Sequence, residues 1–199
     1  MPIIYSKVTS DPAAEPVLLA EAKMHLRVEN DEENALISIL SQAAREMIEQ
    51  RIGRSLITQT RTIKMDHFPL CSDTILLPYG PVQSVTSIKY FENEIEETLS
   101  ALDYSVDTNS DIARIVIDDS WPSTDDDINV VTIVYVCGYG ASSSYVPKPL
   151  KQAIYMLIAH LYENRQAVIV SGSPTAVIEM PMGVEYLISP YVLEQSVMY

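Results

Sequence analysis

Between Ser55 and Cys137 the apolar residues fall in short, β-branched runs broken by Asn, Asp, Ser, Gly and Pro, the first of which alternates with polar residues. On either side of that stretch they repeat at three and four. A period of two buries one face of a strand, and a period near 3.6 buries one stripe of a helix. The chain must therefore pass from helices into a β block and back into helices. The two helical halves can share a core only if the β block is an insertion between them.

The β block opens with "SLITQTRTIKMDHF", which places Ile57, Gln59, Arg61, Ile63 and Met65 on one side of a strand. β-Branched residues favour that conformation. "DTILLPYGPVQSVTSIKYF" reads as a strand, a Pro-Tyr-Gly-Pro turn and a second strand. "EIEETLS", "DYSVDT", "ARIVID" and "NVVTIVYV" follow as further short strands separated by Asn, Asp, Ser and Gly. Short strands with regular turn signals predict an antiparallel sheet, sandwich or small barrel.

Before the block, residues 17–28 suit a short helix with Leu19, Ala22 and Leu26 on one face. A longer helix over 32–52 is predicted next, with Asn30 as N-cap and Glu33 closing a capping box. Its apolar stripe is read as Leu36, Ile39, Leu40, Ala43, Met47 and Ile48, and Gly53 suits the residue just past its end. After the block, Pro147 opens a helix over 147–165, with a stripe of Leu150, Ala153, Ile154, Leu157, Ile158 and Leu161. A Ser/Gly/Pro break at 171–174 precedes "MGVEYLISPYVL", a short amphipathic segment stopped near Pro190. The expected class is α+β: a helical bundle of N- and C-terminal helices around an antiparallel all-β insertion. The boundaries are 1–53 for the N-terminal helical part, 54–146 for the β insertion, and 147–199 for the C-terminal helices and a terminal arm.

The net charge of the 199 residues is −14, and its distribution is uneven. Residues 1–53 hold 9 acidic and 5 basic groups, 54–146 hold 14 and 5, and 147–199 hold 4 and 3. Such a chain has no electrostatic footprint for phosphates and is expected to repel DNA, unless its few basic residues cluster in space. No apolar run reaches the roughly 18 residues that span a bilayer, and the N-terminus has no secretory pattern. Cys71 and Cys137 are expected as thiols, with no zinc-ligand spacing around them.

Two carboxylate clusters invite a chemical reading. Asp125, Asp126 and Asp127 follow the turn formers Pro122, Ser123 and Thr124, which suggests a solvated turn, with a weak cation site as the alternative; the run lacks calcium-loop spacing. Asp118 and Asp119 lie seven residues upstream and leave open a carboxylate-using glycan hydrolase. His25, His67 and His160 are scattered, and no nucleophile elbow, phosphate loop or HExxH occurs. No catalytic, cofactor-binding or metal-ligating residue is assigned. Twelve tyrosines fit either half-buried sheet positions or interfaces.

Five stretches, in order, carry a resemblance: "LLAEAKMHLRVENDEENALISILSQAAREMIEQRIGRSLITQT", "LPYGPVQSVTSIKY", "SWP…NVVTIVYVCGYG", "VPKPLKQAIYMLIAHLYENRQAV" and "MPMGVEYLISPYV". Together they resemble the head–tail connector (adaptor, or head-completion) proteins of long-tailed bacteriophages, in the β-inserted branch. The family commonly has a Ser or Thr cap where this chain has Leu18, and often a basic residue after the last "PY" where this chain continues "VLEQSVMY".

The resemblance implies a structural virion protein and no enzyme. It implies a ring, often of twelve subunits, beneath the portal, which extends the DNA channel and gives the tail a docking surface. The implied partners are further copies of the chain, the portal, and a tail-side neck protein (stopper or tail terminator). Genomic DNA would pass without specific binding, no cofactor or membrane is involved, and the site is the virion neck, assembled in the host cytoplasm. By analogy, subunit contacts would use Leu36, Leu40, Ala43 and Met47 on one helix and Ile154, Ile158, His160 and Tyr162 on another. Portal contacts would use Val184, Tyr186, Leu187, Tyr191, Val192 and Tyr199. A glycan hydrolase and a β-rich tail or baseplate accessory are the competing readings.

Overall fold

The computed structural model describes residues 5–164 and 181–193. Among them are helices α1 (Leu19–Leu26), α2 (Asn34–Ile52), α3 (Lys148–Glu163) and α4 (Met182–Ile188). The strands are β1 (Tyr5–Ser10), β2 (Gln59–Met65), β3 (Thr74–Leu77), β4 (Val82–Glu92), β5 (Ile95–Thr98), β6 (Tyr104–Asp107), β7 (Ala113–Ile117) and β8 (Val131–Cys137). The class is α+β, and every strand pair is antiparallel. The chain divides into two compact units. One holds Ala14–Ile52 with the described part of Ser142–Val192; the other holds β1, Gly53–Ala141 and Leu193.

In the β unit, a five-stranded sheet of order β1-β2-β8-β4-β5 faces a three-stranded sheet of order β3-β7-β6. β8 is the central strand, and its residues alternate between buried and half-buried along a nearly continuous apolar sequence. Ile63, Ile88, Ile133, Ile115 and Leu77 fill the space between the sheets. Of the two sides of β2, the one carrying Gln59, Arg61, Ile63 and Met65 is the buried one. The sandwich interior is apolar at one end and polar at the other. At the polar end Arg61 lies 3.6 Å from the centre of the Tyr79 ring. Its guanidinium donates to Ser55 Oγ at 3.2 Å and Ser6 Oγ at 3.4 Å. Tyr135 donates its hydroxyl to the Pro78 carbonyl at 2.7 Å, and burial pushes that phenol well above the usual range.

β1 is a correction to the helical assignment of residues 1–53. "YSKVTS" pairs with β2 from Tyr5↔Lys64 to Ser10↔Thr60, as an edge strand. It is short and polar, so its partner makes it a strand.

In the helical unit, α2 begins at Asn34, and the predicted capping box at Asn30 and Glu33 does not define its start. Asp31 is engaged elsewhere: its carboxylate takes Lys23 at 2.7 Å and the Asn34 side-chain amide at 3.2 Å. α1 has Leu18 at its N-cap, with no side-chain acceptor. Glu21 supplies half a capping box by accepting the Leu18 N–H at 3.0 Å. Gly53 has φ +67°, the left-handed geometry expected just past α2. No described helix is long and apolar enough to cross a membrane.

Candidate interaction surfaces

The buried face of α2 differs from the predicted stripe. Ile37, Ser41, Ala44, Arg45, Ile48, Glu49 and Ile52 are the inner residues. Three of them are polar, which hid the face from a reading based on apolar spacing. Ser41 donates to the Ile37 carbonyl at 2.9 Å. Arg45 donates to Glu15 at 2.9 Å and to Glu49 at 3.1 Å, so these charges are buried as a network rather than singly. Burial pushes the Glu15 carboxyl above its ordinary range, against the pull of Arg45.

That shift in register leaves Leu36, Leu40 and Ala43 half-buried, and Ile39 and Met47 exposed, on a neighbouring face. They recur at three and four and form an apolar stripe at the edge of the unit's core. The α3 residues divide differently. Ile154 and Ile158 are core residues, buried with Leu150, Ala153 and Leu157. His160 and Tyr162 are half-buried. Tyr162 donates its hydroxyl to Glu33, and the Asn164 amide lies 3.3 Å from His160 Nδ1. Lys151 reaches Glu21 at 3.4 Å, and His25 stacks on Tyr155 with ring centres 5.3 Å apart. α1 and α3 are therefore tied by charge and by ring contact.

In the C-terminal segment, Val184 and Ile188 are buried, and Glu185 pairs with Arg51 of α2 at 3.1 Å. Residues 182–191 are thus part of the folded unit rather than a free arm. Tyr186 is 81% exposed, Leu187 and Tyr191 are half-buried, and Val192 is exposed. Tyr199 and the break at 171–174 lie outside the described residues.

The carboxylate clusters have structural occupations. Asp125 accepts the backbone N–H of Asn93 at 2.7 Å and of Glu94 at 2.8 Å. Those two residues have φ of +54° and +64° and make the tight turn between β4 and β5. Asp127 accepts the Ile128 N–H at 2.7 Å, and Asp118 accepts from Ser105 at 3.4 Å. Asp118, Asp119, Asp126 and Asp127 are exposed, as side chains of a solvated surface. Among the described residues, no group of three or more His, Cys, Asp or Glu could hold a metal ion.

Residues 18–184 match the head completion protein family. The chain belongs to that family. A head completion protein is a structural component, not an enzyme. Solved structures agree on the fold. A chain of the neck of an empty gene transfer agent particle, computed with C6 symmetry, is 24% identical with a TM-score of 0.79, over 96% of each chain. One from the virion of a native gene transfer agent particle is 25% identical, with a TM-score of 0.75 over 95% of each chain. One from the native neck computed with C12 symmetry is 24% identical, with a TM-score of 0.70 over 94% of this chain and 96% of that one. No curated protein matches the chain.

Proposed function

We propose that this head completion protein is the connector subunit of a virion neck. Twelve copies form a ring beneath the portal, extend the DNA channel, and present a docking surface to a tail-side neck protein. The observation that carries this reading is the full-length fold likeness to chains from gene transfer agent necks, joined to the family match over 18–184. Twelve copies satisfy both the C6 and the C12 symmetry of those necks.

In this reading α1 and α2 join α3 and α4 as one bundle. The division proposed is 1–53 for the N-terminal helices, 54–146 for the insertion and 147–199 for the C-terminal helices and arm, with β1 assigned to the sheet. A ring needs two different complementary faces on each subunit. The α2 stripe of Leu36, Leu40, Ala43 and Met47 supplies one, with His160 and Tyr162 at its margin; Ile154 and Ile158 support it from the core. Tyr186, Leu187, Tyr191 and Val192, backed by Val184 and continued toward Tyr199, face the portal. The net charge of −14 supports a passage to which DNA does not adhere.

Native mass spectrometry and negative-stain imaging of the purified chain, alone and with portal-bearing heads, test this. A closed ring, free or on the portal, is the expected result. A monomer under both conditions, with no density at the head–tail junction, would overturn it.

A further inference from the structure

We infer that the loop end of the β sandwich is a docking surface for a lysine- and arginine-rich protein face that carries apolar anchors. The strand register brings three stretches, 66–73, 91–103 and 118–130, to one end of the unit. β2 and β4 finish there, β8 starts there at Val131, opposite Met65 and Tyr90, and β7 ends there at Ile117. These stretches hold twelve of the chain's 27 acidic residues and no Lys or Arg. From the same loops Leu70, Leu102 and Ile128 project at 86%, 88% and 75% exposure. Exposed apolar side chains gathered on one surface among polar groups suit an interaction site in a way that singly scattered ones do not.

The loops are held, not loose. Asn129 N–H donates to Asp66 at 2.8 Å, and Asp118 N–H to the Asp103 carbonyl at 3.0 Å. Trp121 Nε1 donates to the Ser72 carbonyl at 3.0 Å and stacks on Phe68 at 4.8 Å. Pinning of this kind lowers the ordering cost of association. Lys89, just behind the rim, is already paired with Glu96 at 2.8 Å.

Charge selects the occupant. Nucleic acid and a second copy of this chain are both strongly anionic, and like charge facing like suppresses association. A metal ion would leave the three apolar side chains unexplained. A basic protein face with apolar side chains satisfies both features at once.

The probe is a synthetic amphipathic peptide with leucine on one face and lysine on the other, compared with its glutamine-for-lysine counterpart. Binding to the full chain is read by fluorescence anisotropy. The lysine peptide is expected to bind, more weakly as salt rises. Leu70→Ser/Leu102→Ser/Ile128→Ser, which leaves the charge unchanged, is expected to weaken it roughly tenfold. Asp103→Asn/Asp119→Asn/Asp126→Asn should do the same, and Glu29→Gln/Glu32→Gln/Glu163→Gln in the helical unit should not. Equal losses from both acidic triples, or full binding by the serine triple, would overturn the inference.

A second arm rests on the neck reading: zero-length carboxylate–lysine coupling in purified particles. Links from Asp103, Asp118, Asp119 or Asp126 to lysines of a different protein are expected, and links only to this chain would overturn it. If the chain is absent from particles, the neck reading fails, and the peptide result alone decides the docking surface.

Discussion

Arg45 and Glu49, one helical turn apart on α2, pair at 3.1 Å with side chains only 5% and 4% exposed. Glu15 completes the network from the other side of the guanidinium. Removing one member of a buried pair strands the others without a counter-charge. Arg45→Ala is expected to cost about 3–5 kcal/mol in urea unfolding. Arg45→Met combined with Glu49→Leu and Glu15→Leu should recover most of that loss. Equal destabilisation by the single and triple variants would show that shape, not charge, dominates there.

Gly138 gives a backbone test. Its φ is +124°, and a Cβ there would sit 2.4 Å from the Ile57 carbonyl oxygen. The obstacle is the main chain of the Ile57–Thr58 peptide, not a flexible side chain that could rotate away. Gly138→Ala is expected to lose about 2–4 kcal/mol, combining strain and clash. Thermal unfolding of the purified variant reads this directly.

The three consecutive aspartates should separate by role. Asp125→Ala removes two charge-assisted hydrogen bonds from the β4–β5 turn and should cost about 1–3 kcal/mol. Asp126→Ala removes an exposed carboxylate and should lie within about 0.5 kcal/mol of the parent. Chemical denaturation of the two variants side by side makes the comparison. Equal effects would remove the special role given to Asp125.

The Glu21 carboxyl titrates with α1. Burial pushes it up, but the Leu18 N–H and Lys151 outweigh that and hold it below the ordinary glutamate range. A depressed folded-state value means that the stabilisation is complete above that range. It is lost as pH falls through it. Glu21→Gln should therefore lower stability near neutral pH by less than about 1 kcal/mol, since the pair is well hydrated. The gap between parent and variant should close below about pH 4. A gap that is independent of pH would mean that Glu21 acts through shape alone.

Period and punctuation made much of this fold legible. β2 to β8 lie where alternation and turn residues put them, and α3 buries five of the six residues in its predicted stripe. What could not be read was whatever depended on a distant partner. Arg45 and Glu49 look like surface residues until Glu15 is placed beside them. β1 has no hydrophobic pattern of its own, and only β2 shows it to be a strand. Asp125 belongs to a turn 31 residues earlier in the chain. The half-buried stripe beside the core of α2 was visible as apolar spacing, but its register was not. Sequence could not show that the apolar loop residues Leu70, Leu102 and Ile128 share one end of the sandwich, because that depends on strand register.

The pairing of Tyr5 with Lys64 also bears on how a nascent chain acquires its shape. β1 is synthesised before its partner, and the whole of α1 and α2 lies between them. The helical unit waits longer still, because Val184 and Ile188 of α4 are among its buried residues. Contacts between such distant stretches form late and slowly. The stretch from β2 to β8 is one continuous part of the sequence, and apart from the β1 edge its strands pair only with one another. It can close first, with the N-terminal strand added at its edge and the helices completed last. A chain truncated before α4 would then carry the paired strands of both sheets but an open helical core.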